Sequence, residues 1–123
     1  MTITVPLLWT RPPLSGNDRG HSRYRAPHIV AAHDSARACI LRAKLPRLAG
    51  AEVTLHYRVP DKRRRDADNL APTLKVVLDA LVRADVLPDD SWVHVPAATC
   101  RIHPPDARGA AMWLTINPLG ERP

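Results

Sequence analysis

With 123 residues, 13 prolines, no phenylalanine and 4% aromatics, the chain has room for one domain, residues 1–123, around a modest aliphatic core that a second copy would enlarge. Its formal charge of +6 rests on arginine, because Lys44, Lys62 and Lys75 are the only lysines; a GC-rich genome also favours arginine, but the planar guanidinium suits phosphates and guanine edges, so a polyanionic partner is expected. No apolar run approaches the ~18 residues of a membrane span, no cationic leader precedes an apolar segment, and Cys39 and Cys100 have neither zinc nor redox spacing, which argues against membrane, secreted and zinc-binding classes and for a cytoplasmic protein with reduced thiols.

The expected order of elements is β-α-β-α-β-β, an α+β fold with a small mixed sheet and two helices. Thr2–Trp9 reads as an extended run, with Pro6 marking an edge or a bulge. Arg11–Pro27 reads as a long loop carrying Asn17, Arg19, His21, Arg23 and Arg25, of a length that often carries function. His28–Arg47 has an apolar stripe at helical spacing through Ile29, Ala32, Ala36, Cys39, Ile40 and Ala43, and ends near Pro46. Ala51–Val59 alternates strictly, as a half-buried strand does. Leu70–Ala84 reads as a second helix, with Asn69 as its N-cap and Leu70, Leu74, Val77, Leu78 and Leu81 on its buried face. Ser91–His103 and Ala110–Asn117 read as strands joined by PPDARG as a hairpin, with Trp92, Val95 and Trp113 as core or interface residues.

The chemistry concentrates between Arg63 and Asp90. Lys62, Arg63, Arg64 and Arg65 lead directly into Asp66 and Asp68, which are two residues apart. In an extended segment that spacing puts both carboxylates on one face, with Cα atoms roughly 6.5–7 Å apart. Such a pair clasps a hard cation; Mg²⁺ takes one or two carboxylates together with waters and a substrate phosphate. Asp68 also lies beside the positive end of the second helix. Asp90 is the third candidate. The helix carries the chain ~22 Å away, and the six residues from Asp85 can return at most ~20–22 Å. Asp90 therefore reaches the same site through an extended, direct turn; with a compact turn it needs a shorter helix or a neighbouring subunit's site. Lys75, on the helix's polar face, either stabilises charge developing on phosphorus or makes an ordinary pair with Asp79, four residues on.

The run RRRDADNL, the segment LKVVLDALVRADVLPDDSWV, and Pro12, Pro13 and Asn17 resemble the RusA family of Holliday-junction resolvases. The resemblance implies a small homodimeric, Mg²⁺-dependent endonuclease, with Mn²⁺ as a substitute, that resolves four-way junctions by paired nicks; the family is common in prophages. It places the catalytic aspartates on Asp66, Asp68 and Asp90, the metal on the same three, and the essential lysine on Lys75. In better-known members that lysine follows the second aspartate by four residues. Here Pro72 holds that position, and an insertion of three residues near Ala71-Pro72-Thr73 restores the match.

The resulting expectation is metal-assisted in-line attack by water on a phosphodiester. DNA would be held by Asn17, Arg19, Arg23, Arg25, Lys62, Arg63, Arg64, Arg65 and Asn69, and a C2 dimer would present one site to each of two opposed strands. The rival readings are a non-catalytic DNA-binding prophage accessory module and a nuclease without junction preference. The first leaves the carboxylates unexplained, because they repel phosphate unless a cation intervenes.

Overall fold

The alternation of Ala51–Val59 produces the central strand of the fold. In the computed structural model, which describes residues 1–15 and 22–123 with the side chains of 22–25 left aside, this strand, β2 (Ala51–Arg58), buries Ala51, Val53, Leu55 and Tyr57 on one face. Around it the chain forms β1 (Ile3–Pro6), α1 (Ser22–Ala43), a 3₁₀ turn (Ala67–Leu70), α2 (Ala71–Arg83), β3 (Ala98–His103) and β4 (Ala111–Pro118). The four strands make one mixed sheet in the order β1-β4-β2-β3.

The expected hairpin between the last two strands does not form. β3 pairs parallel with β2, and β4 pairs antiparallel with β2 on its other side and with β1. The reason lies in the connections. The β2–α2–β3 segment is a crossover, which delivers β3 parallel to β2, and the free edge of β2 then accepts β4. The strand expected from Ser91 is also shorter. Residues 91–94 form a turn, in which the amides of His94 and Val95 donate to the Ser91 carbonyl at 3.0 and 2.8 Å, and pairing with β2 begins only at Ala98.

The helix boundaries shift as well. α1 begins at Ser22 and contains Pro27, where the loop was expected to continue; proline's fixed φ is compatible with helix and removes a single donor. Its stripe packs as expected through Ala32, Ala36, Cys39 and Ile40, whereas Ala43 is exposed. The helices contact each other and cover one face of the sheet, enclosing Val5, Val53, Leu55, Val77, Leu81, Leu114 and Ile116. Asn69 does not cap α2. The chain already winds from Ala67, and Leu70, itself in the helical region, occupies the cap position without a side-chain bond. Among the described residues no helix is long and apolar enough to cross a membrane.

Among the described residues no helix lies over the second face of the sheet. It presents His56 and Arg58 from β2, Arg101 and His103 from β3, and Trp113 and Thr115 from β4. His56 Nδ1 and His103 Nε2 share a hydrogen bond of 2.8 Å, His56 Nε2 lies 2.8 Å from Thr115 Oγ1, and both imidazoles stack on the Trp113 indole with centroids 5.2 and 5.0 Å away. Burial, then His103 and Arg101, hold His56 below the usual histidine range; burial, then Arg101, Arg58 and Arg108, do the same for His103. The folded state therefore favours neutral rings, while the unfolded chain takes up protons near pH ~6.5. The unfolded state binds more protons in that window, so stability rises with pH there. The contribution is complete above the unfolded value and is lost as pH falls through the lowered folded values. A melting series from about pH 7.5 to about pH 5 should show Tm falling by several degrees, and His56→Gln should flatten that fall.

Candidate active site

The residues from Asp61 to Leu70 leave the end of β2 and shape one wall of a cleft. Arg65 builds this wall rather than lining it as a free cation. Its guanidinium donates to the carbonyls of Asp61 and Arg63 at 2.9 and 3.1 Å and to the Asp61 carboxylate at 2.9 Å, leaving its side chain 23% exposed. Asp61 also accepts from the Arg63 amide at 3.0 Å, and these bonds, the amide first, hold its carboxyl below the usual range. Arg63 and Arg64 extend into solvent, 84% and 90% exposed, and among the described residues make only long pairs, at 3.7 Å to Asp61 and 3.6 Å to Asp66. Lys62 is exposed too. The expected phosphate-binding run thus divides into one clamp and three available cations.

The opposite wall comes from the first loop. Thr73, fully buried in the first turn of α2, donates through Oγ1 to the Leu14 carbonyl at 2.6 Å and accepts from the Leu14 amide at 3.4 Å. This pins Arg11–Ser15 across the start of α2. The cleft between the walls has a volume of about 190 Å³ and is lined by Arg11, Ser15, Arg64, Arg65, Asp66 and Asn69, together with Tyr57 and Ile102 from the sheet. Arg11 and Thr73 were not singled out from the sequence. Arg11 was one arginine among many in a loop, and the Thr73 bond links residues 59 apart. Asn17 and Arg19 lie outside the described residues, as do the side chains of Arg23 and Arg25.

Asp66 and Asp68 stand at the entrance to the 3₁₀ turn. Both are exposed, and the Asp68 carboxylate makes no hydrogen bond or ion pair among the described residues. Asp90 goes elsewhere. After α2 the chain reverses at Asp85, whose φ is 60°, and retraces the helix only as far as Lys75. Lys75 Nζ donates to Asp90 Oδ2 at 2.6 Å and lies 3.2 Å from Asp79. From Arg83 back to Lys75 is ~12 Å along the helix, an easy return for a short turn, whereas the helix start at Ala71 is ~18 Å away. The hydrogen bond to Lys75 holds Asp90 below the usual carboxylate range, and the bonds to Asp90 and Asp79 raise Lys75. Both groups therefore stay charged around neutral pH. The pair with Asp79 expected from the spacing is present, and Asp90 joins it.

Among the described residues, no group of three His, Cys, Asp and Glu side chains is placed to hold a metal ion. The donor chemistry nevertheless fits a hard divalent cation. Asp66 and Asp68 are open carboxylates beside a cationic cleft, and Mg²⁺ needs only one or two such ligands when waters and a phosphate complete its shell.

Trp92, expected in the core or an interface, is 80% exposed, and its neighbour Val93 is exposed as well. Cys39 is buried and unpaired as expected; Cys100 is half-buried, and burial raises its thiol pKa.

No family model matches the chain. Curated proteins do match it over nearly its whole length. It is 30% identical to the crossover junction endodeoxyribonucleases RusA of Shigella sonnei and of Escherichia coli K12, and 31% identical to that of Enterobacteria phage 82. Each alignment covers 97% of this chain and 97% of the relative.

Proposed function

Because the chain belongs to the RusA family of Holliday-junction resolvases, we propose that it is a Mg²⁺-dependent endonuclease that resolves four-way DNA junctions by paired nicks. The observation that carries this reading is the meeting of Asp66 and Asn69 with Arg11, Arg64 and Arg65 around one cleft. Guanidiniums there hold the phosphates of a strand, and carboxylates sit where a cation belongs.

Asp66 and Asp68 are the residues that would hold the cation, Mg²⁺ or Mn²⁺. Bound there, it supplies Lewis-acid activation of the phosphate ester and of water. Arg11 and Arg64 seat the phosphates, with Lys62 and Arg63 extending the contact along the strand. Arg65 fixes the Asp61–Arg65 wall through its carbonyl bonds, and Asn69 faces the cleft as a neutral hydrogen-bonding partner. Lys75, kept protonated by Asp90, adds positive charge where the transition state accumulates negative charge.

The third carboxylate comes from a second copy. The turn that follows Asp90 is tied to the start of β2, with the His94 carbonyl accepting from Ala51 at 2.8 Å. Within one chain Asp90 is held by Lys75, near the start of α2, and among the described residues it does not group with Asp66 and Asp68 to hold a metal ion. The exposed Trp92 and Val93 beside Asp90 make an apolar contact for a partner to bury. Two-fold pairing through this turn sets each Asp90 towards the other copy's Asp66 and Asp68, and gives a symmetric substrate two sites.

The test is a synthetic immobile four-way junction labelled on each strand in turn, incubated with and without Mg²⁺, beside a linear duplex of the same sequence. Two opposed strands should be nicked symmetrically only with Mg²⁺, and the duplex left intact. Binding without cutting under every metal condition would favour an accessory DNA-binding module; equal cutting of both substrates would remove the junction preference.

A further inference from the structure

The uncovered face of the sheet carries a second cationic surface that the cleft does not use. Register sets His56 beside Arg101 and Arg58 beside His103. Arg101 is exposed and makes no hydrogen bond or ion pair among the described residues. Among the described residues Asp106 is the one carboxylate bonded within the cluster, 3.5 Å from Arg58 and 2.7 Å from Arg108, so three guanidiniums there face a single acid. Arg58 is fixed in place: its Nε donates to the Gly109 carbonyl at 2.7 Å, and its guanidinium carbon lies 5.5 Å from the Trp113 ring centre. A cation held this way loses little side-chain freedom when an anion arrives.

Position ties this surface to the cleft. Tyr57 and Ile102 line the cleft, and Arg58 and His103 follow them on the same two strands. Successive side chains of a strand point to opposite faces, so the two cationic surfaces lie back to back at one end of the sheet.

The geometry points to a second DNA contact, in which phosphates of a duplex arm adjoining the one in the cleft rest on Arg101, with Arg58, His103 and Arg108 around them. The inference rests on the cleft being a DNA site. A branched substrate, whose arms leave the crossover in different directions, can present a strand to each face at once; a linear duplex lying in the cleft engages one face. Charge complementarity selects DNA over a second copy, because two such faces would repel.

Fluorescence anisotropy of the metal-free protein on a labelled immobile junction, measured over a range of salt, tests this. Arg101→Glu should weaken junction binding about tenfold, and Arg101→Ala should flatten the slope of log K against log salt by ~1. Arg101→Lys should keep the wild-type slope, and linear duplex should bind all three variants as it binds wild type. Wild-type junction affinity in Arg101→Glu overturns this surface alone, provided wild type binds and cuts. Equal weakening for junction and duplex overturns it too, by placing Arg101 in the cleft contact. A change in sedimentation of the variants assigns the face to a second copy and also overturns it. A wild-type protein that binds no DNA removes the reading of the cleft, and this surface with it.

Discussion

Asp68→Asn should lower Mg²⁺-dependent cleavage of a four-way junction by at least ~100-fold, a loss typical of removing one electrostatic element from a site that depends on charge. The substitution keeps the size of the side chain and removes only its charge. It breaks no side-chain bond, because the Asp68 carboxylate has no partner among the described residues, and the carbonyl that caps the 3₁₀ turn remains. Melting temperature should therefore match wild type, and junction affinity in metal-free buffer should not fall. Affinity should even rise slightly, since a carboxylate beside the arginines repels phosphate until a cation neutralises it. Quenched-flow measurement of strand cleavage with saturating enzyme gives the rate, and a wild-type rate in Asp68→Asn would remove this aspartate from the metal.

The second large effect is a recovery. Asp68→Asn and Asp90→Asn should each be nearly inactive alone, and a mixture allowed to exchange subunits should regain substantial cleavage. In a mixed dimer, one site combines the intact Asp68 of one copy with the intact Asp90 of the other. If both carboxylates came from the same chain, every site in the mixture would carry one defect and no activity would return. Since only one site per mixed dimer is restored, nicks should appear on single strands rather than in opposed pairs. The placement of Asp90 on Lys75, 2.6 Å away, is what makes this outcome expected.

Much of this site is legible in the chain because its signals are local. The alternation of Ala51–Val59, the apolar face of α2, and the closeness of Asp66 and Asp68 to an arginine run each depend on neighbours within a few residues, and each appears where expected. The features that were not legible are those set by distant contacts. Whether β4 pairs with β3 or with β2 depends on which edge of β2 is free after the crossover, which periodicity does not record. Asp90 stops at Lys75 because the turn reverses at a left-handed Asp85 stapled by Arg47 and Arg122 at 2.9 and 3.3 Å. Arg65 looked identical to Arg63 and Arg64 in the sequence, yet the turn at Asp61 draws it inward as a clamp. Trp92, read as core or interface, is not in the core of the chain: the two bonds to the Ser91 carbonyl hold its turn outward.

The direct test of the central proposal is the binding of Mn²⁺ followed by electron paramagnetic resonance, with an uncleavable phosphorothioate-substituted junction present. The wild-type protein should show a saturable Mn²⁺ site that Asp68→Asn loses and Arg101→Ala retains. An identical Mn²⁺ titration for wild type and Asp68→Asn would contradict it, because the carboxylates at the cleft would then have no part in holding the ion.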